Sequence, residues 1–250
     1  MDDEPTGTPV KRTYDRIAEH FASTRAYPWP EVTAFLRADA DEVASRLDVG
    51  AAAALAGGAA PAVGDPTQGD AETTTQVGLD VGCGNGRHAQ PLSAVVDRVV
   101  GVDVSAELIR TARARARERG LDPRPHLVQA DAASLPIGSH TIDAAVYVAA
   151  LHHLRPRSRR VASLSELSRV LAPGGRALVS AWSTAHDRFD AESGFDTTVP
   201  WTLPGGESVP RFYHIYDPAE FATDVRDSGL ELVAATVSSG NCYAVVEPDD

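Results

Sequence analysis

One short segment limits the folds open to this chain more than any other. The apolar run Val77-Gly78-Leu79 ends in an acid and leads directly into a glycine-rich turn, Asp80-Val81-Gly82-Cys83-Gly84-Asn85-Gly86. Glycines between a strand and a helix let the backbone approach a ligand closely and aim the helix N-terminus at it. The dinucleotide fingerprint G-x-G-x-x-G would place its third glycine where Arg87 stands. The spacing here is G-x-G-x-G with an acid two residues before the first glycine, so the turn is of a different kind.

The segments that follow alternate. Val77–Val81, Arg98–Asp103, His126–Ala130, Ile142–Val148 and Arg176–Trp182 read as short apolar strands. Between them, Asn85–Val95, Ser105–Arg119 and Arg157–Leu171 read as helices, the second capped by Ser105 and stopped at Gly120. A helix led by Pro218 runs from Asp217 to Gly229. Leu230–Val237 and Tyr243–Glu247 close the chain as an antiparallel hairpin around Ser239-Gly240-Asn241. This pattern predicts an α/β fold with a mostly parallel seven-stranded sheet, helices on both faces and an antiparallel C-terminal hairpin.

The flanks are less regular. Residues 1–9 read as a disordered acidic tail, and 10–48 as a helical lid with apolar residues at three- and four-residue steps, among them Tyr14, Ile17, Ala18 and Phe21. Residues 49–75 are a flexible Ala/Gly-rich insertion. Residues 76–250 form the main domain, with an insertion at 183–216 that breaks the alternation.

Composition narrows function. No run approaches the roughly 18 apolar residues of a membrane helix, and the acidic N-terminus lacks the apolar core of a signal peptide, so the chain is expected to stay in the cytoplasm, away from membranes. Cys83 and Cys242 have no metal-ligand spacing and read as free thiols, and no metal is expected. The formal net charge of -12, with Lys11 as the only lysine, resembles adaptation to high salt as in haloarchaea. It argues against non-specific nucleic-acid binding, which needs cationic surface. The cationic clusters, Arg110, Arg113, Arg115, Arg117 and Arg119 and then Arg155, Arg157, Arg159 and Arg160, are the places for phosphate contacts or else solvated faces.

The turn resembles motif I of class I S-adenosylmethionine-dependent methyltransferases. In that family the cofactor is held at Asp80, Gly82, Cys83, Gly84, Asn85 and Gly86. Asp103, with Val104, sits about 20 residues on, where an acid takes ribose hydroxyls. Asp131 and Ala132 match the adenine position, and Ala149, within Val148-Ala149-Ala150, the methionine part. Cys83 reads as a small packing residue, and Tyr14 as part of a lid over the cofactor, with core packing as its rival.

A narrower resemblance covers nearly all the chain outside 1–9 and 49–75. Tyr14-Asp15-Arg16-Ile17, Arg25, Pro28-Trp29-Pro30, Leu151-His152-His153, Ser180-Ala181-Trp182, Val199-Pro200-Trp201 and Arg211-Phe212-Tyr213-His214-Ile215-Tyr216 resemble the tRNA methyltransferases that esterify 5-carboxymethyluridine at the wobble position. The resemblance implies methyl transfer from S-adenosylmethionine, leaving S-adenosylhomocysteine, to a carboxylate already ionised at neutral pH. No general base is then required; the site must position an anion, a task suited to arginine forks. Arg25, Arg211, His214 and one of His152 or His153, with His152 preferred, are the candidates. Trp201 and Tyr213 either pack the insertion or stack on the base. The family also implies a heterodimer with a small zinc-binding activator that adds a strand to the sheet edge, here around 124–130. Two other readings stand beside it. A small-molecule methyltransferase of the quinone type is disfavoured by Arg25, Trp29 and the insertion; a binding module without turnover is disfavoured by the complete cofactor signature.

Overall fold

A computed structural model describes residues 7–37 and 75–249. The tail at 1–6, the lid residues 38–48 and nearly all of the Ala/Gly-rich stretch lie outside the described residues.

Seven strands form one sheet: β1 (Val77–Val81), β2 (Arg98–Asp103), β3 (His126–Gln129), β4 (Ile142–Val148), β5 (Leu171–Trp182), β8 (Leu230–Ser238) and β9 (Asn241–Pro248), in the order β3-β2-β1-β4-β5-β9-β8. The first five run parallel, while β9 is antiparallel to both β5 and β8. The chain moves outward from β1 to β3, then returns to β4 on the other side of β1. That reversal opens a crevice at the carboxyl ends of β1 and β4, the usual ligand position in such sheets. Strand β3 is an edge, as the family resemblance implied.

Alternating side chains divide the core between the two faces. Leu79, Val81, Ala145 and Tyr147 pack against Leu164 and Leu167 of α5 (Arg157–Val170) and Phe221 and Val225 of α6 (Pro218–Arg226). Val146, Val148 and Leu178 face the other way, onto Val32 and Phe35 of α2 (Pro30–Arg37) and Leu92 of α3 (Ala89–Leu92). The helix expected over Asn85–Val95 is only this one turn, because left-handed glycines keep the preceding backbone in a loop (φ +53° at Gly84 and +70° at Gly86). α4 (Ala106–Glu118) starts as predicted, its Ser105 hydroxyl accepting from the Leu108 amide at 3.1 Å.

The stretch 183–216, which showed no periodicity, contains a separate two-stranded antiparallel ribbon, β6 (Phe195–Thr202) with β7 (Ser208–Ile215). It packs on α1 (Gly7–Thr24) through Ile17, Trp201 and Val209. A hairpin alone is marginal in water, so α1 and the ribbon hold each other in place.

Leu164 is wholly buried between α5 and the sheet. Leu164→Ala is expected to lower the unfolding free energy by about 2–5 kcal/mol, measured by urea denaturation.

Candidate active site

One cavity opens at the carboxyl ends of β1 to β4, with α1 above it and β7 along its far side. Its floor is the glycine turn. Gly82 has φ +68°, and a Cβ there would lie 2.3 Å from Cβ of Ala150, so no side chain fits. The Gly84 amide donates to Asp103 Oδ2 and the Ser105 amide to Oδ1, each at 2.8 Å. Burial nevertheless pushes the Asp103 carboxyl up to about 6, the two amides only partly offsetting it. Cys83 is buried, and burial first, then the charges of Asp80 and Asp103, raises its thiol well above the usual range, which suits packing and not nucleophilic attack.

Asp131 accepts from the Ala133 amide at 2.9 Å through Oδ1 and pairs with Arg159 through Oδ2. Asn85 reaches the other way: its Nδ2 donates to the carbonyls of Ala22 (3.3 Å) and Arg25 (2.8 Å), tying the end of α1 to the glycine turn. Ala149, at φ +55°, turns the chain from β4 into the single 3-10 turn Leu151–His153. Such left-handed non-glycine residues gather at functional sites.

The opposite end of the cavity is cationic and aromatic. Arg211 is buried, its guanidinium 4.8 Å from the Trp201 ring centroid and 5.1 Å from that of Tyr213. Its Nε has no partner, and no carboxylate pairs with it among the described residues. Arg25, half-buried, lies 5.2 Å from the same Trp201 ring. His152 is buried; its Nδ1 accepts from the Trp182 amide at 3.0 Å, so Nε2 carries the proton. Burial, then His153 and Arg211, holds the His152 pKa well below its usual value, and His153 falls to about 4, mainly by burial. Both rings are neutral at pH 7.

The expected cofactor residues Tyr14, Gly82, Cys83, Gly84, Asn85, Asp103, Val104, Asp131, Ala132 and Ala149 all line this cavity, as do Arg25, His152 and Arg211. Three other expected residues stand apart. Gly86 packs against Ala112 of α4, where a Cβ would sit 3.1 Å from the alanine Cβ. Asp80 is buried beside the floor with Oδ2 unpartnered. His214, expected at the acceptor, is turned away: strand alternation puts it on the face of β7 opposite Arg211 and Tyr213. Its nitrogens are taken by Asp196 (2.8 Å) and Glu220 (2.9 Å). Sequence reasoning also passed over His88 and Arg87. His88 lines the cavity with a buried, unpartnered Nε2; Arg87 lies 5.4 Å from the Trp29 ring centroid and is lowered to about 10 by burial. Neither stands in a periodic pattern that would mark it.

Comparison with known proteins agrees with this geometry. A methyltransferase-domain family profile matches residues 79–179. A protein of Encephalitozoon cuniculi assigned as a methyltransferase is 30% identical, the match covering 70% of this chain and 80% of that one. The chain belongs to the methyltransferase family. The tRNA (carboxymethyluridine(34)-5-O)-methyltransferase of Saccharomyces cerevisiae is 30% identical over 81% of this methyltransferase, but only 59% of the yeast protein is spanned. The Schizosaccharomyces pombe enzyme of the same name is 25% identical over 95% of both chains. An S-adenosylmethionine-dependent methyltransferase of Clostridium acetobutylicum shares the fold, with a TM-score of 0.61 and 13% identity over 95% of this chain and 99% of that one.

The residues of this methyltransferase fit S-adenosylmethionine. His88 Nε2, which lines the cavity, is a buried polar atom without a partner, a costly state unless a ligand completes it. The zwitterionic methionine end of the cofactor would satisfy it, and the Asp103 carboxylate would accept from its ribose hydroxyls. Among the described residues no group of three or more ligating side chains gathers.

Cofactor affinity should therefore depend on Asp103 ionisation. With a pKa of about 6, the carboxylate is charged above pH 6 and protonated below it. Affinity measured by calorimetry is expected to be flat from pH 7 to 8 and to weaken by up to about tenfold per pH unit below 6. In Asp103→Asn that dependence should disappear and affinity stay low throughout.

Proposed function

We propose that this methyltransferase transfers the methyl group of S-adenosylmethionine to the carboxylate of 5-carboxymethyluridine at the wobble position of tRNA, in the cytoplasm. One observation carries the reading: a buried arginine, Arg211, with no carboxylate partner among the described residues, faces the cavity beside a second arginine, Arg25, in a protein of net charge -12. An unpaired buried cation is costly, and an anionic acceptor completes it. The names of the Saccharomyces and Schizosaccharomyces relatives support the same acceptor.

When bound, S-adenosylmethionine supplies an electrophilic methyl on a sulfonium. The residues of this chain have the remaining tasks. Arg211 and Arg25 bind the acceptor carboxylate and orient one oxygen; the Trp201 ring, against which both guanidiniums lie, holds them in place. The acceptor is ionised at neutral pH, so no proton needs a base. The two histidines, held neutral, suit this: His152 offers an N–H donor without adding charge. A further full positive charge beside those of Arg211 and Arg25 would stabilise the carboxylate ground state and slow its attack.

The arginines in the expected places are largely engaged within the chain, some by carboxylates and some by neutral oxygens. Arg110, Arg113, Arg115 and Arg119 bond to Glu107, the Leu127 and Ala26 carbonyls and Gln90. Arg157, Arg159 and Arg160 bond to Asp224, Asp131 and Glu220. Only Arg117 and Arg155 of these clusters are left without such an acceptor among the described residues. A small zinc-binding activator adding a strand to the β3 edge, where Val128 is 37% exposed, belongs to the proposal, as does working at high salt.

The test is methyl transfer from labelled S-adenosylmethionine to tRNA carrying 5-carboxymethyluridine, at high salt, with and without the activator. A base-labile methyl ester on the wobble residue is expected. Absence of label from tRNA, with the cofactor bound, would move the acceptor to a small molecule. Arg211→Ala is expected to lower kcat/KM about 10- to 100-fold with cofactor affinity within about twofold; normal turnover in both Arg211→Ala and Arg25→Ala would remove the arginine clamp.

A further inference from the structure

Two consecutive residues of α1 face different parts of the site. Asp15 Oδ1 accepts from the Ser105 hydroxyl (2.7 Å) and the Glu107 amide (3.2 Å), docking α1 on the first turn of α4. Ser105 is also the residue whose amide holds Asp103. Asp15 thus joins the lid to the cofactor cradle.

Tyr14 turns to the other end. Its hydroxyl lies 2.6 Å from His153 Nε2, and His153 Nδ1 lies 2.8 Å from the Phe212 carbonyl oxygen. A carbonyl only accepts, so Nδ1 carries the imidazole proton. The ring is neutral, because burial holds it at about 4, so Nε2 is an acceptor. Tyr14 therefore donates its single proton to His153, and its oxygen is left with lone pairs only. Arg211 and Tyr213 line the cavity together with Tyr14, and their side chains act on its hydroxyl. Arg211 and Tyr213 flank Phe212 on β7, and the Tyr213 ring packs 4.4 Å from His153. One hydrogen-bonded chain thus runs from the lid, through the turn after β4, to the strand that carries Arg211.

We infer that Tyr14 is a positioning residue for the acceptor: with its proton committed to His153, its oxygen accepts from Arg211 and fixes the guanidinium for carboxylate binding while α1 is docked. This departs from the lid-over-cofactor role that the resemblance implied. It rests on the carboxylate-acceptor reading above. Docking of α1 and assembly of the acceptor clamp then become one event. Asn85 acts in the same sense, since it holds the Arg25 carbonyl from the glycine turn.

Tyr14→Phe keeps the ring, which packs edge-on against Phe21 (5.8 Å) and His153 (5.1 Å), and removes only the hydroxyl. The experiment measures kcat and KM for carboxymethylated tRNA, together with cofactor Kd, in the wild type, Tyr14→Phe, Arg211→Ala and the double variant, with the activator present throughout. Tyr14→Phe is expected to lower kcat/KM about tenfold, the worth of one charge-assisted hydrogen bond, with cofactor Kd within about twofold. Added to Arg211→Ala, it should cost less than about twofold more, because Tyr14 acts through that arginine. Two results would overturn the inference. One is a cofactor Kd raised about tenfold with normal turnover at saturating cofactor, which would make Tyr14 a cofactor contact. The other is a double variant whose loss is the product of the two single losses. A wild-type enzyme that binds cofactor but esterifies no carboxymethylated tRNA refutes the acceptor reading instead, and is recognised before any variant is compared.

Discussion

The site is organised around the buried carboxylate of Asp103. Its two oxygens take the amides of Gly84 and Ser105 at 2.8 Å each, so one side chain at the end of β2 fixes both the glycine turn after β1 and the first turn of α4. The glycines supply backbone freedom but no direction; the carboxylate supplies direction. Burial makes this arrangement costly, as the elevation of Asp103 to about 6 records. The cost would be offset if the same charge also received ligand hydroxyls, as proposed. Ser105 extends the arrangement outward, because its hydroxyl receives Leu108 and donates to Asp15 of the lid.

Charge is distributed unevenly in this acidic chain. The arginines of α4 and of the 155–160 segment are largely held by internal carbonyls and carboxylates, where they brace helices and strand ends. Arg211 and Arg25 differ: each lies against Trp201 and neither has a carboxylate partner among the described residues. A cation on an aromatic face is partly stabilised without being neutralised, so it stays available to an incoming anion. His214 shows the contrasting case. It lies three residues from Arg211, but the alternation of β7 sends it into a network with Asp196, Glu220, Arg160 and Asp224 that anchors the ribbon to α5 and α6. Adjacent motif residues therefore divide into binding and bracing roles according to strand face alone.

Much of the framework was legible in the sequence because it rests on local rules. Apolar runs of strand length, the Ser105 cap, Pro218 at a helix start and the Ser239-Gly240 turn each act within a few residues, and the alternating order implied a parallel sheet with a crevice at its switch point. The spacing from Gly82 to Asp103 and Asp131 brings the three to one cavity for the same reason, since each lies at or just beyond the carboxyl end of a strand of that sheet. The one-turn helix after Gly86 was less legible, because positive φ values at consecutive alternate glycines are a property of the folded turn.

The sequence by itself thus determined the sheet, most of its helices and which strand ends line the cavity, because there position along the chain converts directly into position along a strand. Only the tertiary structure decided the acceptor end. That end is built from α1, the 3-10 turn at Leu151–His153 and β7, segments more than a hundred residues apart in places, brought together by the Tyr14–His153–Phe212 chain and by the packing of Ile17, Trp201 and Val209. No local pattern records which face of β7 meets the cavity, or which of two neighbouring histidines receives the tyrosine proton. Those choices follow from close packing and from the need to pair buried polar groups, and both are settled only when the distant segments meet.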